Sequence, residues 1–228
     1  ILRRAIQHYP DIEAPGVPTL ARSQHLFERA LLAGLNQTDP AEGAASIAYN
    51  LAALGRASMA LRERLSAEQW GLVRSMSEGF ALSLETAPGE LPTLGQVLPA
   101  LDRLALQLAA VTGAQTDRMT RDHGWRLLTV GRLLERLIGV ATTLGTFLQA
   151  KALGSTVGIE LLLELFDSVI TFRARYQRHE DLLAVVDLLV LDSANPRAFA
   201  GVLRRLRTEL SKLPGDENTR ELLLAMLP

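Results

Sequence analysis

Cysteine is absent from the 228 residues. That excludes disulfides, thiol nucleophiles and cysteine-ligated metals, and it fits a reducing, cytoplasmic compartment. Aromatic side chains make up only 5% of the chain, so leucine and alanine must build the core. Lysine is nearly missing: Lys151 and Lys212 are the only two, and the other 22 of the 24 basic residues are arginine. Arginine suits bidentate pairing with carboxylates, although GC-rich coding produces the same bias. The net charge of −1 offers no basic surface for nucleic acid. Long uncharged runs are missing too. The longest, LIGVATTLGTFLQA, has 14 residues between Arg136 and Lys151, whereas a membrane helix needs about 18. No membrane span is therefore expected, and no signal-peptide pattern is visible.

What is present is helical punctuation. Leucine and alanine dominate while isoleucine is scarce, which favours helix over sheet. The opening residues hold Pro10, Pro15, Gly16 and Pro18 and read as an extended lead-in over 1–20, the remnant of a longer chain that opens on Ile1 rather than Met. A helix is predicted from Ala21 to Leu35, and Asp39-Pro40 opens another running to about Arg64. Ser66-Ala67-Glu68-Gln69 and Thr93-Leu94-Gly95-Gln96 are capping-box patterns, each opening a helix; the second should end near Gly113. One long helix is predicted over 116–150, bent near Gly124 and Gly131. Others are predicted over 156–178 and 181–191, and a last long one should be capped by Asn195-Pro196. Gly215 to Asn218 reads as a turn before a short apolar tail helix. The expected fold class is all-α, a bundle of mostly antiparallel helices, with 21–228 as a single all-helical domain and more than about 60% helix. LAALGRASMAL and LLTVGRLLERL share an apolar run before Gly-Arg, an echo that leucine-rich helices also produce by chance.

Self-contained catalytic motifs are missing. There is no G-x-x-x-x-G-K-[ST], no G-x-G-x-x-G after a strand and no G-x-S-x-G. His8, His25, His123 and His179 are far apart, with no H-E-x-x-H and no Glu-x-x-His, so neither a zinc nor a di-iron site is expected, and no cofactor.

The polar faces are more informative. At 100° per residue, Leu127, Val130, Leu134, Leu137, Ile138 and Ala141 share one side of the helix containing RDHGWRLLTVGRLLER, the expected core face. Arg121, Trp125, Leu128, Arg132, Glu135 and Arg136 share the other. Charges with i,i+3 and i,i+4 partners ordinarily form a solvated face. Trp125 and Leu128 argue instead that another helix covers it, with Trp125 mostly buried and Glu135 paired with Arg132, Arg173 or Arg175. In FRARYQRHED, Arg173, Tyr176 and Glu180 fall on one stripe and Arg175 and Arg178 on a neighbouring one. Such a stripe can bind a carboxylate or phosphate, or form an internal net with Glu135, Asp122 or Asp167. The candidate polar site is Asp122, Arg132, Glu135, Arg136, Arg173, Arg175 and Tyr176, with no metal.

MTRDHGWRLLTVGRLLER, FRARYQRHEDLLAVVDLLVLDSANPRAF and IAYNLAALGRASMALRERLSAEQW together resemble the bacterial alpha-E domain family, named for an all-helical fold with characteristic glutamates. The resemblance covers roughly residues 36–212, and its most specific pieces are R-D-x-G-W with G-R-x-x-E-R following, and L-x-L-D-x-x-N-P-R. It places the family pattern on Arg121, Asp122, Trp125, Arg132, Glu135 and Arg136, then on Arg175, Tyr176, Asp192, Asn195, Pro196 and Arg197. It implies a fused or neighbouring ATP-grasp protein as partner and a role in peptide or amide-bond formation, with a peptide or acyl acceptor held in an Arg/Glu-lined groove. A helical scaffold for protein–protein association or homo-oligomerisation is the alternative. The family's opening helix, N-L-Y-W-x-G-R-x-x-E-R-A, has no counterpart before Ala21.

With no phosphate-cradling loop of its own, the chain alone is expected not to hydrolyse ATP. Phosphate release by the purified chain, abolished by a substitution within it, is the contrary result.

Overall fold

The computed structural model describes residues 24–36, 46–87, 90–177 and 181–215. The expected lead-in, the Asp39-Pro40 helix start, the Arg178 and Glu180 stripe positions and the tail helix lie outside those residues. The described residues are helical with no strand among them, an all-α bundle. Where the sequence reading has one domain from residue 21, contacts gather the described residues up to Met119 into one compact unit and those from Thr120 into another.

In the first unit, α1 (Gln24–Gly34) is followed by α2 (Ile47–Ala60), whose cap Ser46 accepts from the Tyr49 N–H at 3.0 Å. A 3₁₀ turn over Arg62–Arg64 leads to α3 (Ala67–Ser83) and then α4 (Leu94–Asp117). Both expected capping patterns operate. Ser66 Oγ accepts from the Gln69 N–H at 3.1 Å while Gln69 Oε1 accepts from the Ser66 N–H at 3.0 Å. Gln96 Oε1 accepts from the Thr93 N–H at 2.9 Å. α4 runs through Gly113 to Asp117, since one helical glycine costs only about 1 kcal/mol against alanine. Short links make α3 antiparallel to both neighbours. Leu51, Val73, Met76, Phe80, Val97 and Leu104 close the core, each full burial worth roughly 1.5–3 kcal/mol. Leu94–Asp117 is long and apolar enough to cross a membrane by length and composition; Asp102 and Arg103 stand near its middle, and Val97, Ala100 and Leu104 are buried in this core.

In the second unit, the long helix expected over 116–150 is interrupted. α5 is His123–Gln149, started by Asp122, whose Oδ1 accepts from the Trp125 N–H at 2.9 Å. Its buried seam is Val130, Leu133 and Val140 with Phe147, completed by the partly buried Leu137 and Leu144. The expected core face is corrected here: Leu127 and Ile138 are 60% and 58% exposed, and Leu134 is exposed as well. Both stripes are apolar up to residue 141. Beyond it, the observed seam continues through Leu144 and Phe147, whereas the expected face meets Gly145 before Leu148, which is exposed.

Lys151, with φ 52°, turns the chain into a 3₁₀ turn, and Ser155 caps α6 (Thr156–Leu165). The helix expected over 156–178 breaks at Asp167, φ 45°, and resumes as α7 (Val169–Tyr176). Arg197 holds the break: its guanidinium donates to the Phe166 carbonyl at 3.0 Å and pairs with Asp167 at 2.6 Å. α8 (Leu182–Val186) starts at Asp181 and passes directly into a π-helical turn over Asp187–Leu191. Leu162, Phe172, Val185, Leu188 and Leu189 form the core between these short helices.

The final helix, α9 (Phe199–Leu210), begins at Phe199 rather than at Pro196. Asn195 is occupied otherwise: its Nδ2 donates to the Leu188 carbonyl at 3.0 Å and its Oδ1 accepts from the Arg197 N–H at 3.0 Å. α9 packs Val202 and Leu206 against Val130 and Leu133 of α5. A Cβ on Gly201 would sit 2.0 Å from the Asn195 carbonyl oxygen, so the turn and the helix touch backbone to backbone.

Gly201→Ala is expected to lower stability by about 1–3 kcal/mol through forced overpacking. Gly131→Ala, whose Cβ would meet nothing within 4 Å, should raise it by about 0.5–1 kcal/mol through helix propensity. Urea unfolding of both variants measures the contrast.

Candidate functional site

α5 and α9 run antiparallel, since Arg126 near the start of α5 meets Glu209 near the end of α9 at 2.8 Å. That alignment sets Arg132 and Arg136 of α5 opposite Arg205 of α9 and Arg197 of the preceding turn. Arg136 lies within electrostatic reach of the other three, and Arg132 within reach of Arg136 and Arg205. Burial and the charge of Arg205 and Arg197 hold Arg136 below its ordinary value; burial, Arg136 and Arg205 do the same to Arg132. Arg197 is neutralised by Asp167, whereas Arg136 and Arg205 form no ion pair among the described residues. All four remain exposed to solvent at their tips. Arg136 and Arg205, which have no carboxylate of their own among the described residues, are suited to bind an anion, and paired guanidinium forks match a carboxylate or phosphate.

A second cluster is built by the π turn. A π turn adds one residue to the repeat and places Asp187 and Asp192 five apart, with the Asp192 N–H donating to the Asp187 carbonyl at 2.9 Å. Arg175 donates to Asp192 Oδ2 at 2.5 Å, and the Tyr176 hydroxyl donates to Asp187 Oδ2. The Asp187 carboxylate that accepts its proton holds Tyr176 above its ordinary value. Arg175 holds Asp192 below its own, with the Ala194 N–H adding to the effect. Tyr176 also stacks on Phe172 with ring centroids 5.0 Å apart. This cluster is internally matched, two acids against one base and a phenol, and it fixes the end of α7 to the π turn.

The seven candidate residues therefore separate. Arg132 and Arg136 join Arg197 and Arg205; Arg175 and Tyr176 join Asp187 and Asp192. Asp122 serves as the α5 cap. Arg173 is exposed and forms no ion pair among the described residues. Glu135 is also exposed and makes none of the expected ion pairs with Arg132, Arg173 or Arg175. Trp125 is half-buried rather than mostly buried, and part of its cover is local: the Arg121 guanidinium lies 5.5 Å from the ring centroid, a cation–π contact. Sequence reasoning missed Arg205, Asp187 and the Arg126–Glu209 pair. Arg205 follows Arg197 by eight residues on an amphipathic helix, a readable signal; Asp187 depends on π spacing, which no helical template anticipates. No group of three potential metal ligands occurs among the described residues.

Residues 20–227 match the model of the Alpha-E family, described as a predicted alpha-helical domain with a conserved ER motif. The chain belongs to the Alpha-E family. The match reaches beyond the segment carrying the resemblance in sequence. This Alpha-E chain contains three Glu-Arg pairs, Glu28-Arg29, Glu63-Arg64 and Glu135-Arg136. The last stands in mid-α5, with its arginine in the cationic cluster. The chain is 25% identical over 177 residues to an uncharacterised protein of Mycobacterium tuberculosis (strain H37Rv) and to one of Mycobacterium bovis, an alignment covering 76% of this chain and 20% of each relative. It thus spans about a fifth of the length of these relatives. No solved structure matches it.

The Arg126–Glu209 pair is the better-shielded ion pair of this region, with side chains 23% and 16% exposed. Burial pushes the Glu209 carboxyl up, but Lys212 and Arg126 outweigh it and hold the group below its ordinary value. A depressed folded-state value stabilises above the ordinary glutamate range and is lost as pH falls through the folded-state value. Glu209→Gln should therefore cost about 1–2 kcal/mol at neutral pH, with the gap to wild type closing on acidification; thermal unfolding across pH measures it.

Proposed function

We propose that this Alpha-E domain is the acceptor-binding component of an ATP-grasp-associated system that forms amide bonds. In this reading the face built by Arg136 and Arg205, with Arg132 beside them, takes the carboxylate of a peptide or acyl group. The observation that carries the reading is the arginine cluster itself. Folding sets Arg136 against like charges without an acid to neutralise it, an arrangement that costs stability and gains meaning when an anion arrives. The exposed Glu135 stands one residue away, free to meet the amine end of a zwitterionic acceptor. The ATP-grasp partner, fused or neighbouring, would supply the activated acyl group, because this chain carries no phosphate-cradling loop.

A second reading, a helical scaffold for protein association, is favoured by one feature. Leu127, Leu134, Ile138 and Leu148 leave an apolar stripe exposed along α5, and such stripes mark interaction surfaces.

The two readings differ in what Arg136→Met does. If the cluster exists to bind an anion, the variant should unfold at higher temperature, through relief of repulsion and desolvation, and should lose affinity for a free-acid peptide by about tenfold or more. Titration with an acetylated dipeptide as free acid and as amide reads the preference for the carboxylate. Equal binding of acid and amide, or a destabilised variant, refutes the anion-site reading.

A further inference from the structure

The first unit holds a cleft that the arginine cluster does not involve. It lies where the start of α3 meets the end of α4 and has a volume of about 340 Å³, room for a small ligand. Leu72, Ala110, Gly113 and Ala114 line it with small apolar surface. A Cβ on Gly113 would meet nothing within 4 Å, so the helix leaves this space open by residue choice.

One lining side chain is out of balance. Gln69 is only 8% exposed, and its Oε1 is turned back to the Ser66 N–H at 3.0 Å. A carboxamide has two N–H donors at its other end. The Gln69 Nε2 donates to no group among the described residues, although it belongs to a residue lining an open cleft. Buried donors are paired in almost all proteins, and an acceptor oxygen from a ligand would satisfy this one. The rest of the rim has the opposite polarity. Asp117 and Glu68 contribute two carboxylates, and Arg118 neutralises only one of them, pairing with Glu68 at 2.6 Å. The last carbonyls of α4 point to the same end and favour positive charge there.

We propose that this cleft binds a small primary amine that also carries a carbonyl oxygen, as in an amino-acid amide or the N-terminal unit of a peptide. The carbonyl accepts from Gln69 Nε2, the ammonium faces Asp117, and a short side chain lies on the alanine and glycine floor. The site shares no residue with the arginine cluster, so each reading stands or fails alone.

The test titrates the chain with L-alaninamide, N-acetyl-alaninamide and isopropylamine, followed by amide chemical shifts and calorimetry. Alaninamide is expected to bind saturably and to shift the resonances of Gln69 and Gly113. Acetylation of the amine should weaken it by about tenfold or more. Gly113→Leu should fill the cleft and abolish binding while thermal unfolding stays cooperative. Gln69→Glu keeps the oxygen that accepts from Ser66, removes the donor and adds a negative charge that attracts both amines alike, so alaninamide should lose its advantage over isopropylamine in that variant. The proposal is overturned by absence of saturable binding at millimolar alaninamide, by equal binding of the acetylated compound, or by binding that survives Gly113→Leu.

Discussion

The packing of α9 along the first half of α5 is the constraint on which the second unit depends. Val202 and Leu206 are fully buried against Val130 and Leu133, and Gly201 lets α9 come within backbone contact of the turn that precedes it. That close approach fixes Asn195, Asn195 ties the turn to the π segment at Leu188, and Arg197 reaches from the same turn to close α6 at Phe166. One glycine thus anchors three helix ends. The same packing brings Arg205 to Arg136, so the cationic face is a direct product of the apolar seam beneath it. A shift of α9 by one turn would separate these charges and expose Leu206.

The cost of that face is informative. Ion pairs in this unit are otherwise well matched: Arg126 with Glu209, Arg175 with Asp192, Arg197 with Asp167. Arginine is abundant across the chain, so its presence alone means little. What stands out is placement, because Arg136 is partly desolvated among positive charges and no acid among the described residues pairs with it. Structural ion-pair networks place acids among their bases; Arg136 and Arg205 lack that balance among the described residues.

Legibility in the sequence followed the range of the interaction that decided each feature. Ser66 with Gln69, and Gln96 with Thr93, act within one turn, and both helix starts were readable. The all-α class was readable for the same reason, since capping and 3.6-residue periodicity are local. The breaks at 118–122 and at Asp167 were not. A left-handed aspartate held by an arginine 30 residues downstream carries no local mark. The core face of α5 was misjudged because two apolar stripes compete up to residue 141, and the choice rests on Leu144, Phe147 and the partner helix. Arg132 and Arg136 were singled out for sharing a face with Trp125, but their partners proved to be other arginines rather than Glu135.

The two candidate sites carry different kinds of imbalance. In one, like charges gather above a tight hydrophobic seam, where Arg136 or Arg205 could have been an uncharged side chain without disturbing Val130 or Leu206. In the other, a helix cap serves a second purpose: the oxygen of Gln69 starts α3, and the capping geometry leaves its nitrogen buried at a cleft. Neither imbalance helps the fold. A capping glutamate would start α3 equally well, and a neutral residue at 136 would remove a repulsion. Features that a more stable sequence would discard are where binding is to be sought, because stability selects against them and only an occupant offsets their cost.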